Sequence, residues 1–458
     1  MDKSMTSGKP LTLIIKFVIP IFFGFIFQQL YNMVDTIIVG HFVSPGALAA
    51  VGSTGTIMFM FIGLASGLTT GYTVLISQKY GASDLEGTRR AFVNAILLSV
   101  ISVLVLTVIS VSLMHPLLHV MQTPADIYDD AYAYIITICG GSVTIVFYNL
   151  LAASLRAIGN SRTPLYFLII AVVLNIILDL VFIISFGLGT MGAALATDIS
   201  QGTSAVLSFI YIYKKVDVLR PKRSDWRLDP VYSAKQLNVG VPMSLQFGIT
   251  ASGTMVMQAA INSFGSVAVT GFTAASKVTN LMTAGMPSIG QAMAAYVGQN
   301  YGYGNLDRIR QGTRDALKIS VIYSVVNGIL SVLLLPYIIV LFFDSGVDIS
   351  VYMPYARTYC IWCSLFYIPL AMIFIYRNTM QGCGWGKTAL MLGISELFAR
   401  LACAITAMEL HNFTFAAGAD AIAWIVAGVL SYFLYRFVIS SEEKRKIRAQ
   451  SEIRHDDV

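Results

Sequence analysis

The sequence predicts an all-α polytopic membrane protein. Its twelve transmembrane helices are expected to form two six-helix bundles related by a pseudo-twofold axis along the membrane normal. Three observations carry this prediction. The chain has many apolar runs long enough to cross a bilayer, its basic residues are confined to alternate loops, and its second half repeats motifs of the first.

Composition places the chain in a membrane. Of its 458 residues, 56% are hydrophobic and only 12% are charged, whereas a soluble protein carries about 25% charged residues. Apolar runs of roughly 20 residues or more recur along the chain, and that length crosses a bilayer core as a helix. Because lipid offers the backbone no hydrogen-bond partner, spans of this kind must be helical.

Twelve spans follow from the apolar runs. In the first half they lie near 11–38, 48–76, 91–114, 131–154, 164–186 and 190–213. In the second half they lie near 237–262, 267–297, 317–343, 354–380, 387–409 and 415–438. The first run is too long for a signal-peptide core and lacks a small-residue cleavage site, so it is predicted to be a retained span.

The spans divide the chain into four predicted segments. These are an N-terminal six-helix bundle at 1–213, a cytoplasmic linker at 214–236, a C-terminal six-helix bundle at 237–440 and a charged cytoplasmic tail at 441–458. The linker is the most polar internal stretch of the chain, which is why it is placed between the halves.

The charges of the loops predict the orientation. Lys and Arg accumulate in the loops of one side, including the cluster from Lys214 to Lys235 and the C-terminal tail. The loops of the other side contain neither residue, and they lie at 39–47, 115–130, 187–189, 263–266, 344–353 and 410–414. Basic loops stay on the cytoplasmic side of a membrane. Both termini are therefore predicted to be cytoplasmic, which agrees with an even number of spans.

The two halves share motifs at a nearly constant spacing. The stretch "SQKYGASDLEGTRRA" at 77–91 is matched by "GQNYGYGNLDRIRQG" at 298–312, and "LRAIGNSRT" at 155–163 by "MQGCGWGKT" at 380–388. Repeated sets of membrane spans are typical of transporters, whose substrate path lies between the repeats. Because each half has an even number of spans, both repeats have the same orientation in the membrane.

The motifs do not favour an enzyme or a nucleic-acid-binding protein. The stretch "GLGTMG" at 187–192 lies in a turn between apolar helices without a preceding strand, and "GCGWGKT" at 382–388 has its first glycine one residue too close for a P-loop. The five cysteines lie in or beside apolar spans, and their odd number predicts no disulfide framework. The basic residues lie in short loops, so no nucleic-acid partner is predicted.

Polar residues inside the spans of the first half predict a functional site. A charge at the centre of a span costs about 2.5–3.5 kcal/mol, and such charges mark functional sites. Asp35, Asp179 and Thr197 lie in spans one, five and six, all roughly 8–12 Å below the outer surface at about 1.5 Å per residue. Asn175 is one helical turn from Asp179 and shares its face. Two carboxylates, an amide and a hydroxyl can therefore meet at one depth.

No Lys or Arg of the first half lies at that depth. Two acids in a medium of low dielectric cannot both stay ionised cheaply, so one takes up a proton or a cation binds. Oxygen ligands of this kind also suit Na⁺. The pattern predicts a proton or sodium site, and a buried hydrogen-bond network that ties the helices together is the structural alternative.

The second half lacks these acids. At the spacing of the repeats, Asp35 corresponds to Met257 and Asp179 corresponds to Ala404. The coupling site is therefore predicted in the first half alone.

The second half instead carries charges of its own, Lys277, Glu396 and Arg400, of which Arg400 is the counterpart of Asn175. Glu396 and Arg400 lie at i and i+4 and can pair along span eleven. A structural network is predicted for these three residues. Asp198 follows Thr197 and faces about 100° away from it, so it is left open whether Asp198 joins the site or points toward water.

Pro20 lies inside the first span. A proline there removes a backbone hydrogen bond and allows the helix to bend. With a hinge in the helix that carries Asp35, protonation of that residue could be coupled to bending of the helix.

The chain resembles the multidrug and toxic compound extrusion (MATE) family over essentially its whole length. The resemblance rests on the mid-span Pro20, "YNMVDTIIVG", "SQKYGA" with its echo "GQNYG", and "NIILD" at 175–179 followed by "GAALAT" at 192–197. It implies two six-helix bundles facing a central cavity. It also implies antiport by alternating access, driven by H⁺ or Na⁺, without a cofactor.

The resemblance further implies roles for single residues. It implies cation binding by Asp35, Asn175, Asp179 and Thr197, and substrate-cavity roles for Gln28 and Tyr31, with Tyr134 and Asn149 at polar network positions of that cavity. The likeness is to prokaryotic members with the ion site in the N-terminal half, because neither span seven nor span ten contains an interior acid.

The predicted function is cation-coupled export of lipophilic, often cationic, drugs and toxins. The protein is expected to be monomeric, to contact membrane lipids, and to lie in the plasma membrane of a prokaryote. A flippase for a lipid-linked precursor of the same superfamily is the alternative. Such a flippase needs a cavity lined by several Arg or Lys, for which Lys277 and Arg400 are the candidates.

Overall fold

The computed structural model describes residues 4–121, 123–343 and 348–456, which are helical apart from short connections. In the first half the helices are α1 (Pro10–Phe42), α2 (Pro45–Ser53), α3 (Gly55–Gly81), α4 (Leu85–Val120), α5 (Tyr128–Gly140), α6 (Ser142–Ala157), α7 (Arg162–Leu180) and α8 (Gly189–Lys215). In the second half they are α9 (Pro230–Asn262), α10 (Ser266–Thr283), α11 (Gly285–Gly302), α12 (Leu306–Ile338), α13 (Met353–Leu365), α14 (Tyr367–Gly382), α15 (Lys387–Glu409) and α16 (Phe413–Asp456).

Each of the twelve predicted spans coincides with one helix or with two consecutive helices. Spans two, four, eight and ten are each divided in two, as α2 with α3, α5 with α6, α10 with α11, and α13 with α14. The pairs α5–α6 and α13–α14 bend by 49° and 50° at their breaks. Broken spans at corresponding places in both halves are typical of transporters built from repeats.

Among the described residues, seven helices are long and apolar enough to cross a membrane on their own. The two bent pairs raise this number to nine. The remaining predicted spans correspond to α8, α9 and α10–α11, whose sequences are rich in Gly, Ser, Thr and Gln. Polar residues in these helices are consistent with faces that pack against protein or line a cavity rather than face lipid.

The sequence repeat is also a repeat of backbone structure. Asp84 and Asn305 correspond at a spacing of 221, and each caps the helix that follows it by accepting a hydrogen bond from the backbone NH three residues on, at 2.8 and 3.0 Å. The residues before them, Ser83 and Gly304, have positive φ values of 58° and 77°. The same turn therefore joins the second and third spans of both halves.

The chain divides into two compact units. The first comprises Met1–Thr6 and Ile15–Gly248, and the second comprises Ser7–Ile14 and Ile249–Val458. This division follows packing and falls inside α1 and α9, whereas the four segments predicted from the sequence follow membrane topology and stay a prediction. The predicted tail begins inside α16, which continues as one helix to Asp456.

In the first unit, the first part of α9 packs closely on α3. A Cβ atom on Gly71 would lie 2.3 Å from the Cα atom of Gly240, so the two backbones meet where neither residue has a side chain. Below this contact, the buried amide of Gln236 donates to the backbone oxygens of Tyr72 and Ala91 at 3.1 and 2.8 Å. These contacts fix the end of the predicted linker to the helices of the first unit.

The second unit has one large apolar cluster that draws residues from α9 to α16. Tyr367 is fully buried at its centre, and its hydroxyl lies 3.1 Å from that of Ser331. The ring of Tyr359 packs edge-on against Phe272 with the ring centres 4.6 Å apart. Two charged residues of α15, Glu396 and Arg400, are also buried.

A candidate cation site beside a cavity in the first unit

Three helices of the first unit bring the predicted cation ligands into its interior. Asp35 lies on α1, Asn175 and Asp179 lie one turn apart on α7, and Thr197 lies on α8. Asn175 and Asp179 are fully buried, and Asp35 and Thr197 are 5% and 4% exposed. α7 and α8 are neighbours in sequence and pack along each other, which keeps their polar faces together.

Two tyrosines connect these residues. The hydroxyl of Tyr31 donates a hydrogen bond of 2.6 Å to Thr197. The carboxylates of Asp35 and Asp179 lie within electrostatic reach of each other and of both Tyr31 and Tyr134. The structure therefore brings the predicted ligands together and adds Tyr134, on α5, to their surroundings.

Most polar atoms of this cluster have no partner among the described residues. Asp35 Oδ1, both carboxylate oxygens of Asp179 and both amide atoms of Asn175 are buried without a hydrogen bond. Buried polar atoms in folded proteins nearly always have a partner, and a buried carboxylate without a cation is costly. The cluster therefore has the chemistry of a site that accepts protons or a hard cation such as Na⁺ from outside.

Asp198, whose role the sequence left open, lies in the same interior and is 7% exposed. Its carboxylate lies against Gly141 at the break between α5 and α6, where a Cβ atom would come within 2.0 Å of its Oδ2. Thr144 donates to its Oδ1 at 3.5 Å, and Tyr134 lies within its electrostatic reach. Asp198 therefore adjoins the cluster through Tyr134 and does not point to water at the end of the span.

A cavity lies beside the cluster, within the first unit, and its space of about 320 Å³ includes the open solvent at its mouth. It is lined by Gln28, Tyr31, Tyr148, Leu168, Ala171, Val172, Ser200 and Gln201. Of the four residues expected at a substrate cavity, Gln28 and Tyr31 line it. Tyr134 and Asn149 do not. Asn149 instead donates to the backbone oxygen of Ile145 at 2.8 Å, within its own helix.

Pro20 is buried within α1, which continues as one helix from Pro10 to Phe42. Because proline has no backbone NH, the carbonyl four residues earlier lacks its usual helical partner. The hinge role of Pro20 stays a prediction.

The charges of the second unit form a network that differs from the predicted one in one member. Arg400 donates to Glu396 at 3.1 Å and to Asp420 at 2.9 Å. Asp420 also accepts a hydrogen bond of 3.0 Å from the hydroxyl of Tyr359, and all four residues are buried. Lys277 is exposed and makes none of these contacts. Its expected place is taken by Asp420, on α16.

Two sets of residues escaped the sequence reasoning. Asp420 is an acid inside the predicted twelfth span, so it carried the same signal as Asp35 and could have been found. Ser200 and Gln201 line the cavity beside the cation cluster. Single serine and glutamine residues in an apolar helix are common, so only their spacing along one face would have indicated a role.

A model of the MatE family matches residues 20–181 and 242–406, which lie in both halves. The probable multidrug resistance protein YpnP of Bacillus subtilis is 28% identical over 398 residues, 85% of this chain and 86% of the relative. The probable multidrug resistance protein NorM of Thermotoga maritima is 26% identical over 343 residues, 73% of each chain.

A crystal structure of MATE in complex with MaL6 matches this chain with a TM-score of 0.89 at 25% identity. The match covers 96% of this chain and 99% of the other. It confirms the predicted fold class, an all-α membrane protein with twelve transmembrane helices in two bundles.

Proposed function

The chain belongs to the MatE family of membrane transporters, and we propose that it is an antiporter that exchanges H⁺ or Na⁺ for lipophilic, often cationic, drugs and toxins. Relatives named as multidrug resistance proteins cover most of the chain. The observation that carries the proposal is the position of Tyr31. This residue lines the cavity and is also hydrogen-bonded to Thr197 of the cation cluster. Binding of a substrate in the cavity can therefore affect the cation cluster, and binding of an ion in the cluster can affect the cavity, through the side chain of Tyr31.

The proposed cycle uses the unpartnered oxygens of Asp35 and Asp179. While the substrate path is open to the cytoplasm, both carboxylates are free of protons and help to retain a cationic substrate. When the path opens outward, H⁺ or Na⁺ from outside neutralises them, α1 bends at Pro20 and the substrate leaves. One positive charge moving inward gains about 2.3 kcal/mol per 100 mV of membrane potential, which drives the exchange.

The setting of the protein follows from the same proposal. The positive charges of the loops support the proposal that both termini lie in the cytoplasm. We place the protein as a monomer in the plasma membrane of a prokaryote, in contact with lipids and with small organic substrates. No cofactor other than the coupling ion enters the cycle.

The flippase alternative is weakened by the network of the second unit. A cavity for an anionic pyrophosphate needs several free cations, but the guanidinium of Arg400 is already bound by two carboxylates. Of the two candidate cations, only Lys277 is exposed. A single lysine is a poor match for a doubly charged headgroup.

Dye efflux from proteoliposomes tests the antiport proposal. Proton and sodium gradients are imposed separately on the wild type, on Asp35→Asn and on Asp217→Asn, which removes an exposed acid of the linker that pairs with Arg220. We expect one gradient to drive efflux by the wild type and by Asp217→Asn, and neither gradient to drive Asp35→Asn. Gradient-driven efflux that survives in Asp35→Asn would remove Asp35 from the coupling site.

A further inference from the structure

Unpartnered polar atoms are concentrated in one part of the first unit. Among the described residues, thirteen buried side-chain atoms lack a hydrogen-bond partner, and nine of them lie on α1, α7 and α8. Five belong to the cation cluster. The other four are the Oγ atoms of Ser200, Ser204 and Ser208 and the Oε1 atom of Gln201, all on α8. Since a folded protein rarely leaves such atoms unpaired, this concentration needs an explanation.

The four residues continue the cation cluster along one face of α8. At about 100° per residue, Thr197, Ser200, Gln201, Ser204 and Ser208 fall within an arc of about 100°. With a rise of about 1.5 Å per residue, the stripe extends for about 16 Å from Thr197. It runs toward the end of α8 at Lys215, which the loop charges assign to the cytoplasm. Two members of the stripe, Ser200 and Gln201, line the cavity beside the cluster.

The serine hydroxyls of the stripe do not make the bond that is usual for this residue in a helix. A serine or threonine in a helix commonly donates to the carbonyl four residues earlier. Thr203 on α8 does so, to Ile199 at 2.8 Å, and Ser154 on α6 does so, to Leu150 at 2.7 Å. Ser200, Ser204 and Ser208 do not, although they are 1%, 0% and 1% exposed. Their hydroxyls are therefore available to a partner inside the bundle.

We infer that this stripe is the route by which a proton bound at Asp35 and Asp179 is released to the cytoplasm. A serine hydroxyl both donates and accepts hydrogen bonds, so it can hand a proton to a neighbouring water and take another in return. In one passage a carboxyl group loses one proton, a cytoplasmic water gains one, and each hydroxyl ends unchanged. This inference rests on the proposed antiport function and assigns H⁺ as the coupling ion, since a file of single hydroxyls offers Na⁺ too few ligands at any one position.

The inference is tested with Ser204→Val, which replaces the middle hydroxyl by a methyl group and adds a second methyl group, so that no room is left for a water in place of the hydroxyl. The matched control is Thr203→Val, at the next residue of α8, where the lost hydroxyl is bonded to its own helix. Ethidium is the probe in three measurements on proteoliposomes or purified protein. These are efflux driven by an imposed pH gradient, ethidium exchange at equal pH on both sides, and binding affinity.

We expect Ser204→Val to slow pH-driven efflux by about tenfold or more, while exchange and affinity stay within about twofold of the wild type. Thr203→Val should match the wild type in all three. Exchange moves no net proton, so a route for protons affects efflux alone. If Ser204→Val slows efflux and exchange equally, Ser204 only contributes to packing. If efflux by Ser204→Val is unchanged, protons do not pass this position. Either result overturns the inference.

Two further outcomes separate this inference from the antiport proposal. If the wild type is driven by a sodium gradient alone, the proton route is overturned and antiport stands. If neither gradient drives the wild type, antiport itself fails. Should Ser204→Val not fold, Ser208→Val one turn closer to the cytoplasm carries the same three expectations, and wild-type efflux by that variant overturns the route.

Discussion

The two halves of this protein build buried polar clusters from corresponding helices, but they balance the charge in opposite ways. Tyr134 and Tyr359 occupy the same position in the repeat, at a spacing of 225, and so do Asn175 and Arg400. In the first unit, the carboxylates beside Asn175 have unpartnered oxygens, and no basic side chain of the described residues forms an ion pair with them. In the second unit, Arg400 binds two carboxylates at once.

Under the proposed function, this difference is how one scaffold gives a functional site in one half and a structural one in the other. A guanidinium held on α15 is bonded to both Glu396 and Asp420, so each acid of that cluster has a fixed basic partner within the protein. An amide at the corresponding position supplies no charge, and we propose that the acids of the first unit are neutralised by a proton or a cation from solution. Under the proposed function, the residue pair Asn175 and Arg400 separates a site that binds and releases an ion from a cluster whose acids keep a fixed partner.

The largest expected effect is on folding, from Arg400→Ala. Removal of the guanidinium leaves Glu396 and Asp420 buried without a cation, and breaking a buried ion pair costs about 3–5 kcal/mol. We expect the free energy of unfolding in mixed micelles to fall by about that amount. The control is Arg436→Ala, which removes an exposed arginine bonded to Tyr432 and should change stability by less than about 0.5 kcal/mol. Equal effects for the two variants would contradict the assignment of Arg400.

The second-largest expected effect is on transport, from Asn175→Arg. This variant gives the first unit an arginine at the position that Arg400 occupies in the second unit. A fixed positive charge beside Asp35 and Asp179 should hold both ionised and exclude the coupling ion. We expect gradient-driven efflux to fall by about tenfold or more, and unfolding measurements to show a folded protein.

Asn175→Gln is the control for this variant, because it enlarges the side chain without adding charge. It should retain more activity than Asn175→Arg at a similar expression level. If the two variants transport equally well, or equally poorly, then charge at this position does not decide the difference between the halves.

The smallest effect concerns ion pairs at the predicted cytoplasmic side. Arg89 and Arg310 correspond at a spacing of 221, and each binds an acid that follows the predicted sixth span of its half, Asp225 and Glu443. Asp225 is almost fully buried, whereas Glu443 is 42% exposed. Burial raises the pKa of Asp225, but the hydrogen bonds from Arg89 and the backbone NH of Lys222, together with the positive charges of Arg89 and Arg90, lower it more. The pKa therefore lies below its usual value.

A lowered pKa in the folded state means that Asp225 stabilises the fold above its ordinary pKa of about 3.9, and that this stability is lost as pH falls toward the lowered value. We expect Asp225→Asn to lower the free energy of unfolding at pH 7 by about 1–2 kcal/mol. The difference in free energy of unfolding between this variant and the wild type should become smaller below about pH 4. Glu443→Gln should cost less than about 1 kcal/mol, because its pair is half-exposed. A difference for Asp225→Asn that stays constant from pH 7 to pH 3 would contradict the pair.

Much of the fold and of the candidate site followed from the sequence. Apolar runs located the helices closely, and for α15 the predicted span 387–409 has the same ends as the helix. The acids of the first half were placed at one depth by counting residues, and the structure buries Asp35, Asn175, Asp179 and Thr197 together. The breaks at Thr54 and Gly141 were not predicted, because a short interruption hardly changes the hydropathy of a span.

The sequence by itself determined the fold class and the set of polar residues inside the helices, because hydropathy and charge are properties of each stretch of chain and act locally. Only the tertiary structure decided which of those residues are partners. It bonded Arg400 to Asp420 as well as to Glu396 and left Lys277 outside that network. It put the hydroxyl of Tyr31 on Thr197, and it left the hydroxyls of Ser200, Ser204 and Ser208 without a partner among the described residues. Hydrogen bonds require atoms within about 3 Å, and the packing of distant helices alone sets such distances.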